Sequence, residues 1–156
     1  MRKFTKPLVG IIVPIYLEQE TIEKTIRAIE KNVRTSHFVY LIYDDVNDPT
    51  VKVVKKISNN YPRIKLVKNR FNRGAVNALK TGFVVAKEEL LVPVMGDLCD
   101  DTRDIDKMVS LIHSGYDLVC ASRYSYGGKR VNGPIIKGVL SFFACQSLYY
   151  LIGFPT

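Results

Sequence analysis

Residues 90–101 read Leu90-Leu91-Val92-Pro93-Val94-Met95-Gly96-Asp97-Leu98-Cys99-Asp100-Asp101, an apolar run that ends in a glycine and a cluster of carboxylates. An apolar run without polar alternation is typical of a strand that is buried on both faces of a parallel sheet. Pro93 cannot donate a hydrogen bond to a central ladder, so we expect a local irregularity there. Open α/β sheets bind ligands at the carboxyl ends of their strands. The carboxylates therefore predict either oxygen ligands for a hard divalent cation or an acidic turn that caps the next helix.

The composition is that of a globular protein, and its charge favours anionic partners. The chain has 156 residues, enough for one domain with a buried core, and 47% of them are hydrophobic. A net charge of +8 favours nucleotides, phosphates, acidic lipid or nucleic acid without choosing among them. Three cysteines without a Cys-x-x-Cys spacing indicate a reducing compartment and argue against a disulfide framework or a zinc finger. The sequence has no unbroken run of about 18 apolar residues, the length that a membrane-spanning helix needs.

Strand-like and helix-like segments alternate along the chain. Strands are predicted at residues 8–13, 38–43, 64–67, 90–95 and 117–121, and helices at residues 50–57, 75–87, 102–113 and 135–152, with a further helix beginning at Thr21. This alternation predicts an α/β fold, a mostly parallel sheet with right-handed crossovers that is flanked by helices. The last helix is unusually apolar, with Lys137 as its only charge. Such a helix is a core helix, a partner surface or a membrane-interface element, and of these a core helix is the commonest.

Short polar motifs follow several of the predicted strands in a definite order. They are Val13-Pro14-Ile15-Tyr16-Leu17-Glu18, Asp44-Asp45, Asn72-Arg73-Gly74, Met95-Gly96-Asp97-Leu98, Ser122-Arg123-Tyr124 and Gly127-Gly128. Each motif alone is weakly specific, but the ordered set resembles the family 2 glycosyltransferases of GT-A fold. The resemblance covers essentially the whole chain and is strongest to the dolichol-phosphate mannose synthase and polyprenyl-phosphate glycosyltransferase branch.

The resemblance implies a fold and an activity. It implies a GT-A, Rossmann-like nucleotide-binding domain over residues 1–156, truncated at the carboxyl end of a longer enzyme at the cytoplasmic face of a membrane. It implies inverting transfer of a sugar from a nucleotide-sugar donor to a polyprenyl-phosphate acceptor, with a membrane surface as a further partner and no nucleic acid. A lipid phosphate is already anionic near neutral pH, so a dedicated general base is less necessary than for a sugar hydroxyl.

The resemblance also implies roles for individual residues. The predicted nucleotide-sugar site comprises Pro14, Tyr16, Glu18, Asp44, Asp45 and Arg73. Asp97 and Arg123 are the predicted catalytic residues, with Asp97 facing the metal and diphosphate and Arg123 meeting phosphate charge. Asp97 and Asp101 are the predicted ligands of Mg²⁺ or Mn²⁺, and Lys137 and Ser141 would hold the lipid phosphate. A metal and cationic side chains can stabilise the charge that develops on a diphosphate leaving group.

Two departures from the family pattern keep an alternative open. Met95 replaces the first Asp of the Asp-x-Asp motif, and a thioether is a poor ligand for Mg²⁺ or Mn²⁺. Leu17 replaces an Asn. The alternative is a non-catalytic nucleotide-sugar-binding or regulatory module.

Three other classes of protein fit the sequence less well. In a phosphorylation receiver the acidic pair ends the first strand, whereas Asp44-Asp45 follows the second. A dinucleotide oxidoreductase would carry Gly-x-Gly-x-x-Gly after the first strand, and none is present. Nucleic-acid binding rests on charge alone, without a motif.

Overall fold

The structure is a computed structural model of the chain, and it describes residues 8–122 and 135–153. These residues form two compact units that divide between Val119 and Cys120. The first contains a sheet with four helices, and the second contains one long helix. The prediction of a single domain over residues 1–156 stays a prediction.

The first unit is built on a four-stranded parallel sheet in the order β3-β2-β1-β4. Its strands are β1 (Val9–Ile15), β2 (His37–Tyr43), β3 (Ile64–Lys68) and β4 (Leu90–Pro93), and its helices are α1 (Ile22–Asn32), α2 (Pro49–Ile57), α3 (Ala75–Val85) and α4 (Ile105–His113). Parallel neighbours need a crossover connection, which the intervening helices provide. The predicted α/β fold is confirmed, and the carboxyl ends of all four strands lie at one edge of the sheet.

β1 lies at the centre of the core and is buried along its whole length. On one face, Val13 and its neighbours pack with Ile26 of α1 and with apolar residues of α2 and α4. On the other face, Ile12 packs with Ala78 of α3. Helices therefore cover both faces of the sheet, which explains why β1 reads as a continuous apolar run rather than an alternating one.

β4 is shorter and less buried than its sequence predicts. It ends at Pro93, has β1 as its only strand neighbour among the described residues, and is half-buried rather than buried on both faces. The missing N–H of proline is tolerated because Pro93 lies at the end of an edge strand. The expected irregularity at Pro93 is therefore the end of the strand.

The strand predicted at residues 117–121 is wrong. These residues have no regular secondary structure, and Leu118 is 78% exposed. Apolar composition favours a strand only where a neighbouring strand and a packing face are available. The described residues offer this segment neither.

The second unit contains α5 (Ile135–Ile152), which confirms the predicted last helix. Several of its large apolar side chains are exposed, among them Leu140, Phe143, Tyr150 and Leu151. The described part of this unit thus supplies no core against which the helix could pack. Within residues 8–122 and 135–153, no helix combines the length and hydropathy needed to cross a membrane.

Candidate active site

A cleft of about 680 Å³ lies where the loops after β1 and β2 meet the beginning of α3. Its volume is in the range of small-molecule sites. All six residues of the predicted nucleotide-sugar site line it: Pro14, Tyr16, Glu18, Asp44, Asp45 and Arg73. Met95, Asn47 and Asp48 line it as well. The fold brings these residues together because the ends of parallel strands share one edge of the sheet.

The loop after β1 has an unusual backbone conformation, which is held by two residues at the start of α2. Leu17 has φ 55°, in the left-handed region that a leucine rarely adopts. Its N–H donates to Oδ2 of Asp48 at 3.0 Å, and the N–H of Glu18 donates to Oγ1 of Thr50 at 2.8 Å. Asp48 and Thr50 are both buried.

Sequence reasoning missed this contact of Asp48 and Thr50 with the loop after β1. A local signal was present, because Asp followed by Pro is a typical start of a helix. Asp48 is indeed the N-cap of α2 and accepts a hydrogen bond from the backbone of Thr50. That signal predicts the cap but not the contact with a loop 31 residues earlier in the chain.

Asp48 is ionised in the folded protein at neutral pH. Burial by itself would raise the pKa of Asp48, but hydrogen bonds from the side chain of Thr50 and from the N–H groups of Leu17 and Thr50 outweigh it and lower the pKa below its ordinary value. The bond to Leu17 is therefore a charge-assisted one, which is stronger than a bond between neutral groups.

Glu18 carries the most strongly perturbed carboxyl group of the cleft. Burial, and next the charge of Asp97, raise the pKa of Glu18 to about 7. Its Oε2 is buried and has no hydrogen-bond partner among the described residues. The carboxyl group packs directly against Gly96, where a Cβ would collide with it. A charged oxygen in this position has neither water nor a described donor to stabilise it, which agrees with the raised pKa of Glu18.

The two aspartates after β2 have different surroundings. Asp44 accepts hydrogen bonds from Nδ2 of Asn69 at 2.7 Å and from the N–H of Gly74 at 2.8 Å, so one of its oxygens ties the end of β2 to the residue after β3 and the other ties it to the start of α3. Asp45 forms an exposed ion pair with Arg73 at 3.2 Å. Exposed ion pairs contribute little to stability, so Asp45 can exchange its partner for a ligand at small cost.

The acidic turn after β4 is largely engaged in local hydrogen bonds. Asp97 accepts from the N–H and from Sγ of Cys99, and Asp100 accepts from the N–H of Met95 at 2.7 Å. Asp101 accepts from the N–H of Arg103 at the start of a short 3-10 turn and also forms an ion pair with the Arg103 guanidinium at 2.5 Å. The arrangement fits the helix-capping interpretation for Asp101.

Of the two predicted metal ligands, Asp97 and Asp101, only Asp97 has no ion-pair partner among the described residues. Among the described residues, no three His, Cys, Asp or Glu side chains are grouped so that they could hold a metal ion. Asp101 forms an ion pair with Arg103. The side chain of Met95 is a thioether, which is a poor ligand for Mg²⁺ or Mn²⁺. Asp97 has no cation at ion-pair distance within the described part of the chain, and its carboxylate accepts only from Cys99.

Three predicted site residues do not belong to the described part of the sheet unit. Arg123, with the Gly127-Gly128 loop, lies outside the described residues. Lys137 and Ser141 are one helical turn apart on α5, in the second unit, and Ser141 is exposed. The catalytic role of Arg123 and the acceptor-phosphate roles of Lys137 and Ser141 stay predictions.

The chain matches the family model described as glycosyl transferase family 2 over residues 10–151. It is 28% identical to a dolichol-phosphate mannosyltransferase of Pyrococcus furiosus over 134 residues, which are 85% of this chain and 38% of that protein. It is 25% identical to an undecaprenyl-phosphate 4-deoxy-4-formamido-L-arabinose transferase of Pseudomonas savastanoi over 76% of this chain and 36% of that protein. The chain thus spans well under half the length of these relatives.

A solved structure supports the same likeness. Mannosyltransferase PcManGT from Pyrobaculum calidifontis, solved with GDP-Man and Mn²⁺, is similar with a TM-score of 0.54 and 28% identity. The match covers 65% of this chain and 30% of that one. The predicted resemblance and the predicted GT-A fold are confirmed.

Proposed function

Because this chain belongs to glycosyl transferase family 2, we propose that it is the donor-binding part of an enzyme that moves a sugar from a nucleotide-sugar donor to a polyprenyl-phosphate acceptor. The observation that carries the proposal is the cleft, whose lining includes all six residues predicted to bind the nucleotide sugar. The names of two relatives, one for dolichol phosphate and one for undecaprenyl phosphate, support the class of acceptor.

In this proposal three side chains of the cleft bind the nucleoside. The ring of Tyr16 is 69% exposed although it lines the cleft, so it offers a flat apolar face to a base. Asp45 would accept an N–H of the base after exchanging its exposed ion pair with Arg73. Glu18, which lines the cleft, would accept a ribose hydroxyl at its carboxyl group.

The diphosphate requires positive charge that the cleft itself does not supply. The lining contains four carboxylates, those of Glu18, Asp44, Asp45 and Asp48, against the one guanidinium of Arg73. We propose that Asp97 holds Mg²⁺ or Mn²⁺, which would neutralise the diphosphate and stabilise it as a leaving group. Asp101 could join Asp97 only if its ion pair with Arg103 opened, and Arg123 would add a further positive charge.

The acceptor would be held by the second unit. Lys137 and Ser141, one turn apart on α5, would bind the lipid phosphate, and the exposed apolar side chains of α5 would contact the membrane surface. A phosphate oxygen would form the new bond to the anomeric carbon while the bond to the diphosphate breaks on the opposite side. This direct displacement inverts the anomeric configuration and needs no general base.

A non-catalytic module that binds a nucleotide sugar is the second candidate. Met95 favours it, because this residue lines the cleft with a thioether where the family has a carboxylate. Both candidates predict nucleotide binding, but only the first predicts turnover.

Calorimetric titration of the chain with UDP, GDP and their sugar conjugates, with and without Mn²⁺, tests the donor site. We expect one nucleotide to bind, Asp45→Asn to weaken its binding by about tenfold through loss of a charged acceptor, and Asp97→Ala to remove the effect of Mn²⁺. Asp104→Ala is the matched control for Asp97→Ala. Asp104 is also an exposed acid after β4, and it has no proposed contact with the metal or the diphosphate.

Failure of the folded chain to bind any of these nucleotides would contradict the proposed donor site. Where binding is found, an assay with a labelled sugar nucleotide and a polyprenyl phosphate in vesicles separates the two candidates. Formation of a glycosylated lipid phosphate is expected for the enzyme, and its absence with the full-length protein would favour the non-catalytic module.

A further inference from the structure

We propose that Asp48 and Thr50 are positioning residues for the nucleotide-sugar donor: they hold residues 16–18 in the conformation that places the Glu18 carboxyl group against Gly96. The proposal rests on the proposed function, because the donor site is the one described above. Neither residue is expected to touch the donor's reacting atoms. Their effect passes through the backbone of Leu17 and Glu18.

Two hydrogen bonds attach the loop after β1 to the start of α2, about 30 residues later in the chain. The carboxylate of Asp48 accepts from the N–H of Leu17, and the hydroxyl of Thr50 accepts from the N–H of Glu18. Asp48 is 7% exposed and Thr50 is fully buried, so water has little access to the acceptor side of these bonds. Asp48 is fixed in turn as the N-cap of α2, a rigid element of the core.

The loop needs such an attachment because its own residues do not favour the observed conformation. Leu17 has φ 55°, where the Cβ of an ordinary residue is crowded, and its side chain is 54% exposed, so packing does not compensate. The hydrogen bonds that the N–H groups of Leu17 and Glu18 donate to Asp48 and Thr50 are therefore the contacts that hold the loop in this conformation. Without them we expect residues 16–18 to relax to an ordinary extended or helical backbone.

The attachment also sets the distance between Glu18 and the turn after β4. The Glu18 carboxyl group packs on Gly96, the residue before Asp97, and the carbonyl of Gly96 accepts from Oγ1 of Thr25 at 2.9 Å. Asp48 and Thr50 fix the loop on one side, and Thr25 of α1 fixes Gly96 on the other. A shift of the loop would therefore change the separation between Glu18, the proposed ribose ligand, and Asp97, the proposed diphosphate-side ligand.

The test uses a pair of substitutions at residue 50. Thr50→Val keeps the side-chain shape and removes the hydroxyl, whereas Thr50→Ser keeps the hydroxyl. Thr102→Val is the matched control, since Thr102 is a buried threonine whose hydroxyl bonds to Asn32 and Ala28 and does not line the cleft. We expect Thr50→Val to weaken binding of UDP or GDP, whichever the wild type binds, by about tenfold, and Thr50→Ser and Thr102→Val to weaken it by less than about threefold.

A second measurement does not depend on nucleotide binding. Amide hydrogen exchange at residues 17 and 18, followed by NMR, is expected to accelerate in Thr50→Val and in Asp48→Asn but not in Thr102→Val. Asparagine remains a good N-cap, so Asp48→Asn also serves if Thr50→Val does not fold.

The outcomes are distinguishable. Faster exchange at residue 18 with unchanged nucleotide affinity would overturn the positioning role and leave the proposed function standing. Equal affinities of Thr50→Val and Thr50→Ser would overturn it as well. A wild-type chain that binds no nucleotide would overturn the proposed function, and with it any role of Asp48 and Thr50 toward a donor.

Discussion

At the scale of single residues, Glu18 shows how the fold changes the chemistry of one carboxyl group. Its pKa lies at about 7 because it is partly withdrawn from water and close to Asp97. A glutamate in an unfolded chain loses its proton near its ordinary value of 4.5. Between these two values the folded protein holds a proton that the unfolded chain has released. The stability that Glu18 contributes is therefore present below pH 4.5 and is lost as the pH rises through about 7.

The substitution Glu18→Gln tests this titration. Glutamine is neutral at every pH, so the variant lacks the charge that the wild type develops in a partly buried place. We expect the variant to have a higher melting temperature than the wild type at pH 8 and a similar one at pH 4.5. Thermal unfolding across this range measures the difference, and Glu20→Gln, on an exposed residue, is the control. A pH-independent difference would show that Glu18 does not titrate in this window.

At the scale of secondary-structure elements, the close approach of α3 to β1 depends on the absence of a side chain. Gly82 lies on the buried face of α3, and a Cβ there would collide with Cγ2 of Ile12 in β1. Glycine in a helix interior costs about 1 kcal/mol relative to alanine. The contact with the sheet outweighs that cost, because Ile12 is fully buried and has no room to move.

The substitution Gly82→Ala decides between these two effects. Helix propensity alone would stabilise the protein by about 1 kcal/mol, whereas overpacking costs about 1–3 kcal/mol. We expect net destabilisation, measured as the free energy of unfolding in urea. Ile12→Ala removes the two γ-carbons that the new Cβ meets most closely, so the double variant should be less destabilised than the sum of the single variants. Strict additivity, or a more stable Gly82→Ala, would contradict the close contact.

At the scale of the whole sheet unit, hydrogen-bonded carboxylates join segments that are far apart in the chain. Asp106 of α4 accepts from the N–H groups of Arg34 and Thr35 and from Oγ1 of Thr35, about 70 residues earlier. Burial by itself would raise the pKa of Asp106, but these hydrogen bonds, with a smaller effect of the Arg34 charge, lower it below its ordinary value of 3.8. Asp48 joins α2 to the loop after β1 in the same way, and its pKa is also lowered.

Low pH should therefore weaken the hydrogen bonds that these carboxylates accept. A group whose pKa is lower in the folded state contributes stability above its unfolded pKa and loses it as the pH falls through the folded value. We expect the free energy of unfolding to decrease below about pH 4, and Asp106→Asn to be less stable than the wild type at pH 7 while losing less on acidification. Asp104→Asn, on an exposed acid of the same turn, should follow the wild type. Parallel pH profiles for Asp106→Asn and the wild type would contradict this explanation.

The amino-acid sequence by itself determined the class of fold, and its resemblance to a known family indicated six of the residues that line the cleft. Apolar runs such as residues 9–15 and the helical spacing of Ile22, Ile26 and Ile29 are local patterns, and each reports which faces of its own element are buried. Once the strands are parallel, their carboxyl ends must share an edge. The resemblance implied that the motifs at Tyr16, Asp45 and Arg73 form one site, and this shared edge explains how the first two come together.

Only the tertiary structure decided the contacts that cross between elements. The attachment of Leu17 and Glu18 to Asp48 and Thr50, the end of β4 at Pro93 and the absence of a strand at residues 117–121 are examples. Each depends on which neighbour is available in space, and a local pattern carries no information about a partner 30 or more residues away. Whether a carboxylate caps a helix, forms an ion pair or binds a ligand depends on the hydrogen-bond donors that the fold places beside it. Asp44, Asp48 and Glu18 have nearly the same residue type, and they differ because their neighbours in the fold differ.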